Sequence, residues 1–152
     1  MYASATRMAQ PWNTNPCPTP SRWRKAPDAT GDVRNNGFGH ALGDELLINL
    51  CRILESCMRM GDHLARLGGD EFAVLLRNCG LEQARDIAEE MRRRIEEYRL
   101  QADPDTRIGV GVSIGIAPLE ADSMDGWRAV KGADQACYLA KREGKNRVRL
   151  SA

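Results

Sequence analysis

Arg66-Leu67-Gly68-Gly69-Asp70-Glu71-Phe72 sits between two short apolar runs, residues 63–67 and 72–76, each of strand length. A Gly-Gly pair between two such runs predicts a β-hairpin. Glycine carries no Cβ, so the backbone at 68 and 69 is free to take positive φ and to approach a bulky ligand. Two carboxylates, Asp70 and Glu71, follow at the tip. Oxygen donors on a rigid turn suit a hard divalent cation, and such a cation carries phosphate oxygens. The same residues also make an ordinary acidic hairpin turn, and the stretch alone leaves the two readings level.

The flanks extend the pattern. Upstream, Asn35-Asn36-Gly37-Phe38-Gly39-His40 is rich in turn formers, and Asp44 stands where a helix N-cap is expected. Leu46, Leu47, Leu50, Cys51, Leu54, Cys57 and Met58 follow at helical spacing, predicting one buried face to about residue 59. Gly61-Asp62 then leads into the hairpin. Downstream, Asn78-Cys79-Gly80 is a turn before a second helix over 81–98, with Ala84, Ile87, Ala88, Met91, Ile95 and Tyr98 on one face. Its Arg92, Arg93 and Arg94 interleave with Glu89, Glu90, Glu96 and Glu97, the pattern of a solvated face with i,i+4 pairs. A polar loop over 102–106 precedes a β-branched strand over 108–117. A last helix over 127–143, with Gly144 as its C-cap, ends in a short strand over 147–150. This order predicts an α/β (α+β) fold with a mostly antiparallel central sheet flanked by helices.

With 152 residues, 42% hydrophobic and 28% charged, the chain suffices for one globular domain. A net charge of +1 argues against a general electrostatic grip on nucleic acid or anionic membrane. Five cysteines without a CxxC pair read as reduced thiols rather than a disulfide frame or zinc site. No apolar run is long enough for a membrane span or the core of a signal peptide, so a cytoplasmic location is expected. Residues 1–34 hold five of the seven prolines (Pro11, Pro16, Pro18, Pro20, Pro27) and no apolar periodicity. They read as an irregular or disordered segment ahead of a domain over 35–152.

Taken together, the motifs resemble the GGDEF domain, the catalytic domain of bacterial diguanylate cyclases. Gly68 to Phe72 is its pentapeptide intact. The stretch from Asn35 to Asp44 is similar to its Asn-Asp-x-x-Gly-His-x-x-Gly-Asp, with Asn36 in place of the usual aspartate. Val112-Ser113-Ile114-Gly115-Ile116-Ala117 is similar to its Ser-x-Gly-x-Ala strand, and Ala133 to Lys141 with Gly144-Lys145-Asn146-Arg147 to its closing helix and turn.

The resemblance implies a nucleotidyl-cyclase-like fold and a signalling reaction in which two GTP condense to cyclic di-GMP with loss of two pyrophosphates. One domain binds one GTP, so a homodimer is implied. Asn35 and Asp44 would read the guanine edge, with His40 in the same loop. Gly68 and Gly69 would lie along the phosphates. Asp70 would ligate Mg2+ (or Mn2+), and Glu71 would complete the metal site or help deprotonate the attacking hydroxyl. Lys141 and Lys145, one helical turn apart, would neutralise the triphosphate, although cations at a helix C-terminus are also common without a ligand. Arg59-Met60-Gly61-Asp62 fits the family's RxxD inhibitory site, to which Arg66 and Arg92 would add contacts with cyclic di-GMP.

One part of the family pattern fails. Its opening strand, Asp-x-Asp-x-Phe-Lys, carries a metal-ligand aspartate just before the Asn35 loop. Here that place falls on Pro27, in Pro27-Asp28-Ala29-Thr30-Gly31-Asp32-Val33-Arg34. Asp28 is one residue out of register, which would turn its side chain to the opposite face of a strand. The usual first strand is therefore expected to be missing. An active cyclase, an impaired domain that binds cyclic di-GMP or GTP, and a fragment without function all follow as readings.

Overall fold

The computed structural model describes residues 2–5, 40–119 and 126–151. In chain order its elements are β1 (Tyr2–Ala5), α1 (His40–Ser56), β2 (His63–Gly68), β3 (Glu71–Leu76), α2 (Leu81–Glu97), β4 (Arg99–Gln101), β5 (Arg107–Gly109), β6 (Ile114–Pro118), α3 (Gly126–Arg142) and β7 (Val148–Leu150). The main sheet has the order β2-β3-β1-β6-β7, and β4 and β5 form a separate two-stranded ribbon. The pairings β2–β3, β3–β1 and β1–β6 are antiparallel, whereas β6–β7 is parallel. The expected α+β fold with a mostly antiparallel sheet is the fold observed.

The alternation along the strands explains the layers. In β3, Phe72, Val74 and Leu76 are buried, and with Leu64 of β2 and Ile114 and Ile116 of β6 they form one core with α1 and α2. Leu47, Cys51 and Leu54 come from α1, and Ala84, Ala88, Met91 and Ile95 from α2. The alternate residues of β6 face α3, whose buried side is all small: Ala129, Ala133, Ala136, Cys137 and Ala140. That side lets the helix lie on the strand. A Cβ at Gly115 would stand 1.9 Å from the Ala133 carbonyl oxygen, so this approach requires glycine.

Three expectations are corrected. Within the segment 1–34, expected to be irregular, Tyr2–Ala5 is a strand at the centre of the sheet, pairing Ala5 with both Ala73 and Gly115, while residues 6–34 lie outside the described residues. Main-chain pairing needs no apolar alternation, so Tyr-Ala-Ser-Ala leaves no periodic signal. Without it the facing edges of β3 and β6 would hold unpaired backbone groups. Residues 27–34, where the usual first strand was sought, lie outside the described residues.

Asp44 is no N-cap, because α1 already begins at His40. The strand expected over 108–117 is broken into β5 and β6, with residues 110–113 outside regular structure among glycines 109 and 111. The loop expected over 102–106 is observed, as the turn of the β4–β5 hairpin. Ala102 N–H donates to the Thr106 carbonyl at 2.9 Å, and Asp105 N–H to Asp103 Oδ1 at 3.0 Å.

Candidate functional site

Strand direction gathers the candidate residues at one end of the sheet. β3 starts at Glu71 beside the hairpin turn, and Ala5 of β1 ends opposite Ala73. β6 starts at Ile114, which pairs with Val148 at the start of β7. The Gly68–Glu71 hairpin, residues 110–113 and the turn between α3 and β7 therefore share that end. α1 is tied towards the same end: Asn49 in its middle bonds the Tyr98 hydroxyl just past the end of α2, while Glu96 of α2 accepts from Asn146 in the turn after α3. Asp44 lies exposed on α1, and His40 opens that helix. Asn35 lies outside the described residues.

The hairpin is tight. Gly68 pairs with Glu71 across a register shift, and Gly69 takes φ of +54°. The Arg66 Nε donates to the Gly69 carbonyl at 2.8 Å and closes the turn from the strand side. Among the described residues, no atom stands within 4 Å of a Cβ built on Gly68 or Gly69, so the turn has open space against it. Asp70 is exposed and Glu71 half-buried. Two adjacent carboxylates beside an open glycine turn fit a hard divalent cation as donors. Among the described residues no group of three or more His, Cys, Asp or Glu gathers, and the central strand, Tyr-Ala-Ser-Ala, brings no carboxylate.

The two lysines are not on one helical face. Lys141 is half-buried in the last turn of α3, which ends at Arg142, while Lys145 is exposed in the following turn at φ of +61°. Gly144 does end the helix, with φ of +116°, and Lys145 N–H donates to the Ala140 carbonyl at 3.0 Å.

The opposite end of the sheet carries Arg59 and Asp62. A cleft of about 390 Å³ there is lined by Glu55, Met58, Arg59, Met60, Asp62, His63 and Leu64. The Asp62 side chain is only 2% exposed, and both its oxygens are engaged: Oδ2 accepts from Arg59 N–H and Oδ1 from Arg77 N–H, each at 2.9 Å. The Arg59 guanidinium, 44% exposed, stands 3.8 Å from the same carboxylate.

Asp62 thus ties the α1–β2 loop to the end of β3, a structural part that the motif alone did not show. Arg66 does not join this cluster, since it bonds the hairpin turn at the other end of β2. Nor does Arg92, whose guanidinium bonds Glu89 and Glu96, each at 2.8 Å. The arginine of that run which reaches α1 is Arg94, with Nη1 donating to Ser56 Oγ at 3.2 Å. Neighbouring helical positions point about 100° apart, and the position of α1 relative to α2 decided which arginine reached it.

Cys51, Cys57, Cys79 and Cys137 form no disulfide among the described residues. Burial pushes the Cys57 thiol above its usual pKa. Among the described residues no helix is long and apolar enough to cross a membrane.

Comparison with known proteins agrees with this arrangement. The family described as "Diguanylate cyclase, GGDEF domain" matches residues 33–147. Diguanylate cyclase A of Treponema denticola is 39% identical over 117 residues, covering 77% of this chain and 31% of that protein. Among solved structures, the active GGEEF domain of a diguanylate cyclase from Vibrio cholerae superposes with a TM-score of 0.71 at 31% identity, covering 79% of this chain and 75% of that one. The GGDEF domain of DgcB from Caulobacter crescentus, solved in complex with c-di-GMP, gives a TM-score of 0.70 at 26% identity, over 76% and 68% of the two chains. The chain spans under a third of the length of the curated relatives it matches.

Proposed function

The chain belongs to the GGDEF family of diguanylate cyclase domains, and from that premise we propose that it condenses two GTP into cyclic di-GMP with release of two pyrophosphates. The observation that carries this reading is the intact Gly68–Phe72 hairpin. Among the described residues its glycines border open space, at the same end of the sheet as Lys141 and Lys145. The hydroxyl of each ribose attacks the α-phosphate of the other GTP, and pyrophosphate leaves. Gly68 and Gly69 let the phosphates approach the backbone, and the two lysines offset their charge. Asn35 and Asp44 present an amide and a carboxylate matched to guanine's acceptor and donors.

Asp70 and Glu71 are the residues that would hold a magnesium ion, which when bound supplies charge neutralisation at the phosphates. Glu71 would complete the metal site or take the proton of the attacking hydroxyl. Each domain holds one GTP, so the competent species is a homodimer. Product binding at the far cleft would engage Arg59, held in place by Asp62, and would inhibit.

Purified protein given GTP and magnesium should form cyclic di-GMP, resolved by chromatography, and Glu71→Ala should abolish it. A second reading rests on the absence of a carboxylate from Tyr2–Ala5: a domain with too few metal ligands to turn over, which binds GTP or cyclic di-GMP. A folded chain that makes no product at high protein concentration, yet shows nucleotide binding by calorimetry, would favour that reading over catalysis.

A further inference from the structure

The turn that carries Lys145 is held in an unfavourable shape by a neighbour across the fold. Gly144 alone is enough to end α3, yet Lys145 and Asn146 also take positive φ, +61° and +44°. Asparagine tolerates this region, but a lysine side chain forms no hydrogen bond to its own backbone to compensate for it; the Lys145 main chain is held by its N–H to the Ala140 carbonyl and by Arg147 Nε donating to its carbonyl at 3.1 Å. Such a conformation persists only where the surroundings dictate it, and it concentrates at functional sites.

The surroundings here are specific. Asn146 Nδ2 donates to Glu96 Oε1 at 2.7 Å, linking the turn to a helix fifty positions earlier. Glu96 Oε2 accepts in turn from Arg92 Nη1 at 2.8 Å, and Arg92 Nε is anchored on Glu89. The Asn146 side chain also lies over Gly111, where a Cβ would meet its Cγ and Oδ1 at 3.1 Å. Its Oδ1 is buried and accepts no hydrogen bond among the described residues. The amide is therefore oriented by the single bond to Glu96, because turning it over would set its oxygen against the carboxylate. Hydrogen bonds from Arg92 and then Asn146 hold the Glu96 carboxyl below its ordinary range, so it stays ionised as the acceptor.

We propose that Asn146, backed by Glu96 and Arg92, is a positioning residue that fixes the turn so that Lys145 meets the terminal phosphates of the bound nucleotide. This rests on the phosphate role given to Lys145 above. It also gives Arg92 a task at the nucleotide end of the sheet instead of the inhibitory cleft. The brace touches no nucleotide itself. It acts by removing the alternative backbone conformations that Lys145 would otherwise populate.

The test is a ladder of affinities for GMP, GDP and GTP, measured by calorimetry with magnesium present, for the unaltered chain and for Asn146→Ala, Glu96→Ala and Lys145→Ala. In the unaltered chain affinity should climb with each added phosphate. Asn146→Ala should lose about tenfold for GTP, the size of one charge-assisted contact, and less than about twofold for GMP. Glu96→Ala should do the same, and the double variant should lose no more than either single one. If Asn146→Ala does not fold, Glu96→Ala, which removes a half-exposed carboxylate, gives the same comparison.

A climb that survives in both variants but disappears in Lys145→Ala would overturn the brace and leave the phosphate role standing. No loss in Lys145→Ala, or no climb in the unaltered chain, would overturn the phosphate role and the brace with it. Equal losses for GMP and GTP would reduce Asn146 to general stability and also overturn the proposal.

Discussion

A methyl group on Gly115 has nowhere to go. Its carbon would stand 1.9 Å from the Ala133 carbonyl oxygen and 2.4 Å from the Cys137 amide nitrogen, both backbone atoms of α3. Gly115→Ala should therefore push α3 off the sheet and cost about 3 kcal/mol, read as a fall in the urea midpoint. A midpoint unchanged from the parent would mean that the helix moves away freely.

Asp62→Ala tests a different kind of residue, one whose carboxylate serves two main-chain N–H groups. Removing it should cost about 2 kcal/mol with no nucleotide present, because two donors lose a charged acceptor. Equal stability would instead leave Asp62 idle until a ligand arrives. Both residues stood in recognisable motifs in the sequence, but only their type was legible there. The RxxD spacing did not show that Asp62 is spent on backbone. No local pattern could pair Asn146 with Glu96, since the contact arises from how α2 meets the turn after α3. Which of Arg92, Arg93 and Arg94 reaches α1 is settled only once α1 is placed against α2.

Among the elements, the long periodic ones were readable. α1, α2, α3 and the β2–β3 hairpin fall within a few residues of their sequence expectation because apolar spacing and turn residues agree there. β1 was not readable, being only four residues, Tyr-Ala-Ser-Ala, too short to show a period, in a proline-rich region. Its place between β3 and β6 makes it the most sensitive strand to main-chain change. Ser4→Pro removes a donor from the middle of the sheet, where proline is not tolerated, and should lower the urea midpoint clearly. Removing residues 1–5 should abolish cooperative unfolding, and a deleted chain that still unfolds at the parent midpoint would show that the slot closes without the strand.

The exposed face of α2 sets a pH dependence. Hydrogen bonds from Arg94 and Arg93 hold the Glu90 carboxyl below its ordinary range, as those from Arg92 and Asn146 do for Glu96, which also faces Arg99. A carboxyl lowered in the folded chain binds protons more readily when unfolded. Its contribution is then present above the ordinary carboxylate range and is lost as pH falls through the folded value. The urea midpoint should drop between pH 6 and pH 3, and the Glu90→Gln, Glu96→Gln double variant should show a shallower drop. Because both groups are exposed, the difference is small, and identical curves would mean that solvent screens them fully.

For the molecule as a whole, the decisive quantity is the number of chains needed for one turnover. A net charge of +1 leaves two copies little long-range repulsion to overcome. If each domain holds one GTP and each ribose hydroxyl attacks the other's phosphate, a lone chain lacks the second GTP that its hydroxyl must attack. Product formation should then follow the amount of dimer. In dilute solution, doubling the protein should raise the rate about fourfold, and at high concentration the dependence should settle to simple proportion as dimer saturates. Glu71→Ala chains, which keep Gly68, Gly69, Lys141 and Lys145, should still bind GTP and pair, and so should act on this balance as a poison. Added in excess to a fixed amount of active chain, they convert active pairs into mixed pairs with one defective member, and the rate should fall well below that of the active chain alone. A rate strictly proportional to protein at every dilution and indifferent to added Glu71→Ala would place both condensation steps in a single chain and remove the homodimer from the mechanism.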